Sequence, residues 1–265
     1  MRTVWRILVL LILSALSLQL YFAARIAVMK VVDPQSTSFQ RSEMTRLLRE
    51  QGRILWSQEW RPYDAISDNL KRAVIASEDG NFVDHNGVEW DALQNAWKKN
   101  NAAQAKADKT RQQAQARYER AMARAQKRGR AAPPPPTAMT AAPKIIGGST
   151  ITQQLAKNLF LSSERNLLRK AEEFAITFML EGILGKERIL GVYLNNVEWG
   201  EGVFGAQAAS RHYFQVDAAQ LSGMQAARLA VMLPAPKKFE KQPRSGYIMS
   251  RSGTINARMG AAELP

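Results

Sequence analysis

Residues 7 to 24 run for eighteen positions without a charge, rich in leucine, with Gln19 the one strongly polar member. No other feature restricts the fold so much. Backbone polar groups that enter hydrocarbon must be paired within their own segment, so such a run has to be helical. Its length meets the lower limit for a membrane span. Trp5 and the pair Tyr21-Phe22 sit near its ends, where interfacial aromatics are common. Arg2 and Arg6 precede it, so a cleaved signal peptide is the rival reading. The run is long for a signal core, and no clean small-x-small site follows. The reading adopted is an anchor that stays in the mature protein. Arg25 and Lys30 follow the run as closely as Arg2 and Arg6 precede it, so charge does not orient the span.

The 265 residues leave room for one domain, or for a domain with a small second lobe, and 46% hydrophobic content allows a sizeable core. With no cysteine there is no disulfide framework and no thiolate chemistry, and two histidines argue against a histidine-rich metal site. The net charge of +14 is uneven. Lys98 to Lys144 holds twelve Lys/Arg against two Asp/Glu, which is +10, and leaves +4 for the rest. From Lys98 to Pro143 the chain is rich in Ala, Gln, Lys and Arg and then carries Pro133-Pro134-Pro135-Pro136. Asn101 to Lys127 has high helix propensity, which allows a solvated helix. Without a sustained apolar stripe the segment reads as a mobile insertion. A basic tract of this kind that faces a membrane can touch anionic lipid, and otherwise it is a solvated charge run.

Four stretches carry chemistry. The first is Gly147-Gly148-Ser149-Thr150-Ile151-Thr152-Gln153-Gln154-Leu155-Ala156-Lys157. Two glycines end a loop, Thr150 to Gln153 fits a capping box, and Ile151, Leu155 and Leu159 give a helix an apolar edge. A helix N-terminus offers N–H groups and partial positive charge, which suits phosphate, and Lys157 adds a full charge two turns on. The second stretch is Glu78-Asp79-Gly80-Asn81-Phe82-Val83-Asp84-His85-Asn86-Gly87, after a helix edge of Leu70, Ala73 and Val74. The plain alternative there is a solvated acidic pair at a helix end, with His85 structural. The third lies in a helix expected over residues 162–185. Leu167, Ala171, Phe174 and Phe178 form its apolar stripe, and Arg169-Lys170-Ala171-Glu172-Glu173 lies off it. Salt bridging of Arg169 to Glu173 accounts for that run without any function. The fourth runs from Lys186 through Tyr193, Asn195 and Asn196 to Gly200, Gly202 and Gly205, where glycines suit a tight turn. A shorter helix is expected near residues 42–51, and an apolar helix spans Leu221 to Leu233 before Pro234.

Together these strings resemble the motifs of the peptidoglycan glycosyltransferases, in particular the monofunctional biosynthetic transglycosylases. The resemblance covers about Ile66 to Pro236, the insertion excepted. Gly191 departs from the Glu often found at its position. The resemblance implies a mainly α, lysozyme-like, two-lobed domain with one N-terminal transmembrane helix. Residues 1–30 would be a cytoplasmic tail and anchor, and 31–265 the glycosyltransferase domain, with 98–143 inserted. It implies polymerisation of lipid II into β-1,4-linked glycan strands on the outer face of the cytoplasmic membrane, with release of undecaprenyl pyrophosphate. Glu78 would be the catalytic base and Glu173 a second catalytic carboxylate, selected over Glu172 by the motif and not by geometry. Lys157 and Arg165 would bind pyrophosphate, with Ser149, Gln153, Gln154 and Asp79 beside them. No cofactor is required. A divalent cation, magnesium or manganese, is the other role the resemblance leaves open for Glu173. Partners would be lipid II, the growing lipid-linked strand and the membrane. Other cell-wall synthesis or division proteins are admitted, and nucleic acid is not expected.

The chemistry fits those residue types. A hydroxyl that attacks an anomeric carbon must lose its proton to a base. A departing pyrophosphate needs cations and oriented N–H donors. It needs little help from an acid, so one carboxylate with a cationic cluster fits better than the paired carboxylates of glycosidases. No Ser-x-x-Lys occurs, so transpeptidase activity is not expected. Two other readings are a lytic enzyme of lysozyme-like fold, which has no use for a phosphate cluster, and a non-enzymatic membrane-anchored scaffold.

Overall fold

A computed structural model describes residues 2–129, 131, 134–137, 147–161 and 166–265. They form two compact units, Met1–Val88 with Ser149–Pro265, and Glu89–Gly148.

The first unit begins with helix α1, Arg2–Val28. Among the described residues it is the one helix long and apolar enough to cross a membrane, and nearly all of its apolar surface is exposed. Its last turns are different. Phe22 and Ile26 are buried, and the Phe22 ring meets that of Phe160 edge-on at 5.1 Å. Helix α2, Ser38–Gln51, starts earlier than expected because Thr37 and Gln40 form a capping box, and it ends at Gly52 in the left-handed conformation. The strand β1, Ser57–Gln58, leads to helix α3, Asp68–Glu78, which Ser67 caps.

The second unit is dominated by helix α4, Trp90–Lys127. The helix runs through Lys98, the expected start of the basic segment, and Asn101 to Lys127 takes up the helix that its propensity allows. Ala, Gln, Lys and Arg are strong helix formers. Polar pairs one turn apart reinforce them, as in Gln104 to Asp108 and Gln115 to Glu119. Gly148 lies against this helix. A Cβ there would come within 2.9 Å of the Ala96 methyl, so only glycine fits.

The first unit resumes with α5, Ile151–Phe160, α6, Leu167–Ile183, and α7, Lys186–Asn196. The strands β2, Glu198–Gly200, and β3, Val203–Phe204, follow. Then come α8, Ala206–Phe214, α9, Gly223–Met232, the short α10, Pro236–Phe239, and α11, Gly246–Arg258. The small sheet has the order β1-β3-β2, with β1 parallel and β2 antiparallel to β3.

The core of this unit lies around α7. Every residue from Ile189 to Asn196 is buried, so the helix is surrounded by protein on all faces and runs unbroken through Gly191. Its polar members are paired. The Asn195 side chain accepts the Arg61 N–H at 2.8 Å and donates to the Arg61 carbonyl at 2.9 Å, which fixes the chain after β1. Helix α3 packs with α9 and α11, and α5 packs with α6 and α7. The chain is therefore mainly α, as expected, with a sheet whose two- and three-residue strands are too short to show an alternating pattern.

Candidate active site

Helix α3 buries Leu70, Ala73, Val74 and Ile75 and ends at Glu78. The next residue is not solvated. Asp79 is 4% exposed, and its two oxygens reach different motifs. One accepts the backbone N–H of Ile151, the first residue of α5, at 3.0 Å, and the other meets His85 Nε2 at 2.7 Å. The opposite ring nitrogen of His85 accepts the Gly87 N–H at 3.1 Å, so Nε2 carries the proton and donates to Asp79. The Thr150 hydroxyl then donates to the Gly87 carbonyl at 2.6 Å. Gly87 has φ +85°, and a Cβ would stand 2.7 Å from the Thr177 methyl and 2.8 Å from Glu181 Cγ. Both its conformation and its surroundings demand glycine. Two strings far apart in sequence are thus one hydrogen-bonded loop in space, and His85 is structural.

This changes the part assigned to the α5 N-terminus. The capping box is present, with Thr150 Oγ1 accepting the Gln153 N–H and Gln153 Oε1 accepting the Thr150 N–H. The Ile151 N–H belongs to Asp79. The N–H groups of Thr150, Ile151 and Gln153 are thus taken, and a carboxylate already stands at the positive end of the helix. With both oxygens engaged, by Ile151 and by His85, Asp79 fastens the loop to α5.

A cavity of about 850 Å³ opens between α2, α5 and α6. Ser149, Gln153, Gln154 and Lys157 line it, together with Arg169, Lys170 and Glu173. Glu78 lies one hydrogen bond behind that lining. Gln154 Nε2 donates to its carboxylate at 2.8 Å, and the Tyr193 hydroxyl donates to Gln154 Oε1 at 3.0 Å, which fixes the amide orientation. Burial pushes the Glu78 carboxyl above the usual range. The Gln154 hydrogen bond and the Lys157 charge pull it back, and Asp79 reinforces the rise. Glu78 is therefore held above the ordinary carboxylate range. Burial also drives the Tyr193 phenol well up, which keeps it a donor. Two buried donors at the cavity, Gln153 Nε2 and Arg169 Nε, have no partner among the described residues. Arg165 lies outside the described residues.

Helix α6 corrects the expected stripe. Leu167 is 89% exposed and Phe178 48%. The buried face is Glu173, Ile176, Thr177 and Leu180, spaced as one side of a helix. Geometry therefore separates the two carboxylates that periodicity could not. Glu173 is 3% exposed and accepts from Arg169 at 3.1 Å and from Lys170, whereas Glu172 accepts from Gln19 of α1 at 2.8 Å. With both oxygens of Glu173 on cations, the donor set does not fit a divalent ion. Among the described residues no cluster of three or more His, Asp or Glu side chains is placed to hold one.

The α2 wall was not foreseen. Arg46 is gripped by Glu43, Glu50 and Glu201, and these hold its guanidinium charged more firmly than usual, the Glu201 bond most of all. The sequence signal was available, since Glu43, Arg46 and Glu50 are spaced one turn apart. Arg169 and Lys170, read as decoration off the core, stand in the cavity.

The helical domain thus sets a half-buried carboxylate behind a cavity lined by cations. The transglycosylase family model matches residues 46–115 and 137–260. The chain belongs to that family and is a glycosyltransferase enzyme. It is 46% identical over 251 residues to a biosynthetic peptidoglycan transglycosylase of Paraburkholderia xenovorans, covering 94% of this chain and 88% of that one. A protein of the same name from Burkholderia thailandensis is 46% identical over 250 residues, covering 94% and 83%. Another, from Cupriavidus pinatubonensis, is 46% identical over 263 residues, covering 96% and 88%.

Proposed function

We propose that this chain is a peptidoglycan glycosyltransferase that polymerises lipid II into linear β-1,4-linked strands and releases undecaprenyl pyrophosphate. The observation that carries this reading is the arrangement around Gln154. Its side chain joins a carboxylate of raised pKa to the wall that bears Lys157, Arg169 and Lys170.

In the reaction the 4-hydroxyl of one lipid II attacks the anomeric carbon of the lipid-linked strand. The new C–O bond forms as the bond from that carbon to the pyrophosphate oxygen breaks, and the hydroxyl proton passes to Glu78. Direct displacement inverts the centre and gives the β link. Charge that builds on the leaving pyrophosphate is met by Lys157, with Arg165 proposed beside it, and by the unpaired donors of Gln153 and Arg169. Ser149 and Gln154 supply further hydrogen bonds. Glu173 holds Arg169 and Lys170 in place, which favours its orienting role over that of a metal ligand.

Helix α1 serves as a single-pass anchor in the cytoplasmic membrane, with the catalytic unit on the outer face where lipid II is used. The domain runs from residue 31 to 265 and carries the basic segment as an insertion. Cross-linking is left to other enzymes. Turnover of lipid II by the purified full chain, with strand length and released pyrophosphate both measured, tests this. Glycan cleavage without polymerisation would point instead to a lytic enzyme.

A further inference from the structure

Helix α4 segregates its charges. At 100° per residue, Lys106, Lys109, Arg117, Arg120, Arg124 and Arg128 fall within an arc of about 100°. Asp108 and Glu119, the only acids between them, lie roughly 160–180° from Arg117. The acidic pair is bonded on its own side, Asp108 to Gln104 and Arg111, and Glu119 to Gln115. None of the six stripe cations enters a salt bridge among the described residues, and all six are exposed. Arg117, Arg120, Arg124 and Arg128 line a single shallow groove, so the stripe holds in side-chain positions as well as in helical phase. From Lys106 to Arg128 it extends about 33 Å at 1.5 Å per residue.

We propose that this stripe is an electrostatic docking surface for the anionic headgroups of a phospholipid bilayer. A straight row of cations confined to one side of a rod matches a flat negative surface. The face carries no apolar ridge, so the helix would rest on headgroups and not insert among acyl chains, unlike an amphipathic interfacial helix. No aromatic side chain is interleaved with the stripe, since Tyr118 lies about 100° away, so nothing offers to stack on bases. The same chain holds a helix of spanning length, which keeps the stripe at high effective concentration near a membrane. Each basic residue close to an anionic surface strengthens adhesion by roughly fivefold, so a few suffice for a tethered segment.

The absence of cysteine permits a clean test on the full chain. A fluorophore is placed at Gln113→Cys, in the stripe, or at Gln115→Cys, on the opposite face. Each protein is reconstituted in nanodiscs of phosphatidylcholine, with or without one-third phosphatidylglycerol, carrying a headgroup quencher. The expected result is stronger quenching at 113 than at 115 in anionic discs only, abolished by about 0.5 M salt, where the Debye length is a few ångströms. Replacing Arg117, Arg120, Arg124 and Arg128 together by Gln, which preserves helix propensity, should lower contact by more than tenfold, while helicity by circular dichroism is unchanged. Equal quenching in neutral and anionic discs, or full contact in the four-glutamine protein, overturns the proposal. Short duplex DNA added to neutral discs should leave the label unchanged. An equal spectral response to DNA and to anionic lipid would make the stripe a general polyanion site and remove the lipid assignment.

Discussion

The Asp79 carboxylate caps the Ile151 N–H at 3.0 Å, and so fastens the loop that follows Glu78 to the first turn of the helix that carries Gln154 and Lys157. One buried bond therefore sets the distance between the proposed base and the proposed phosphate cation. Asp79→Asn offers one acceptor oxygen where two donors, Ile151 N–H and His85 Nε2–H, now bond. Leaving one buried donor unpaired costs about 1–3 kcal/mol. A loss of that size lowers the melting temperature by roughly 2–4 °C per kcal/mol for a domain of this size. Thermal melting and turnover of the variant should fall together. Wild-type melting would show that the loop is held by other contacts.

Glu78 and Lys157 should be coupled in the pH profile. Burial raises the Glu78 pKa and the Lys157 charge lowers it. The base must be ionised, so activity rises with pH on an acidic limb that lies above the ordinary carboxylate range. Removing the cation in Lys157→Ala lifts the carboxyl further and moves that limb to higher pH. It also slows the plateau by about 10²-fold, the usual cost of a lost electrostatic donor. A kcat/KM profile for both proteins reads the two effects separately. A plateau lowered without any movement of the limb would mean that Lys157 does not act on Glu78.

Glu173→Gln keeps the shape of the side chain but frees Arg169 and Lys170 from their counter-charge. If Glu173 only orients those cations, KM should rise several-fold while turnover slows by less than tenfold, because the hydroxyl still loses its proton to Glu78. Turnover slowed by about a hundredfold or more, with KM unchanged, would place Glu173 in the chemical step itself.

Glu198 ties stability to pH outside the cavity. It is 6% exposed, and burial raises its carboxyl to about 7 from an ordinary 4.5. Lys237 Nζ stands 3.6 Å from Oε1, beyond hydrogen-bond reach, and offsets the rise only in part. The folded state then holds a proton that the unfolded state has released. Stability is greatest below about pH 4.5 as far as this group is concerned, and falls as pH climbs through about 7. The full swing is on the order of 3 kcal/mol. Glu198→Gln should raise the melting temperature at pH 8 and change it little at pH 5. Equal effects at the two pH values would exclude titration as the cause.

Much of the site was legible because its chemistry is written in contiguous strings. Thr150 and Gln153 form the capping box that their spacing announced, and Arg169 and Glu173 pair as expected at i, i+4. The same box at Thr37 and Gln40 went unread, and with it the true start of α2. Periodicity failed on α6 for a physical reason. It assumes that apolar residues turn inward from water, but this helix packs against α1, whose own surface is apolar and exposed, and Leu167 and Phe178 turn outward. The face of Glu173 was hidden by the same assumption. The bond from Asp79 to Ile151 joins residues 72 positions apart, and no local pattern encodes it.

The most direct test of the proposed reaction is Glu78→Gln, measured for both lipid II polymerisation and binding of a phosphoglycolipid substrate analogue. The amide still reaches Gln154, and the phosphate contacts on Lys157 and its neighbours are untouched. Binding should stay within a few-fold of wild type, and turnover should fall by about 10² to 10⁴, the usual worth of a general base. Polymerisation at near wild-type rate by this variant would contradict the assignment and move the search for the base to Glu173.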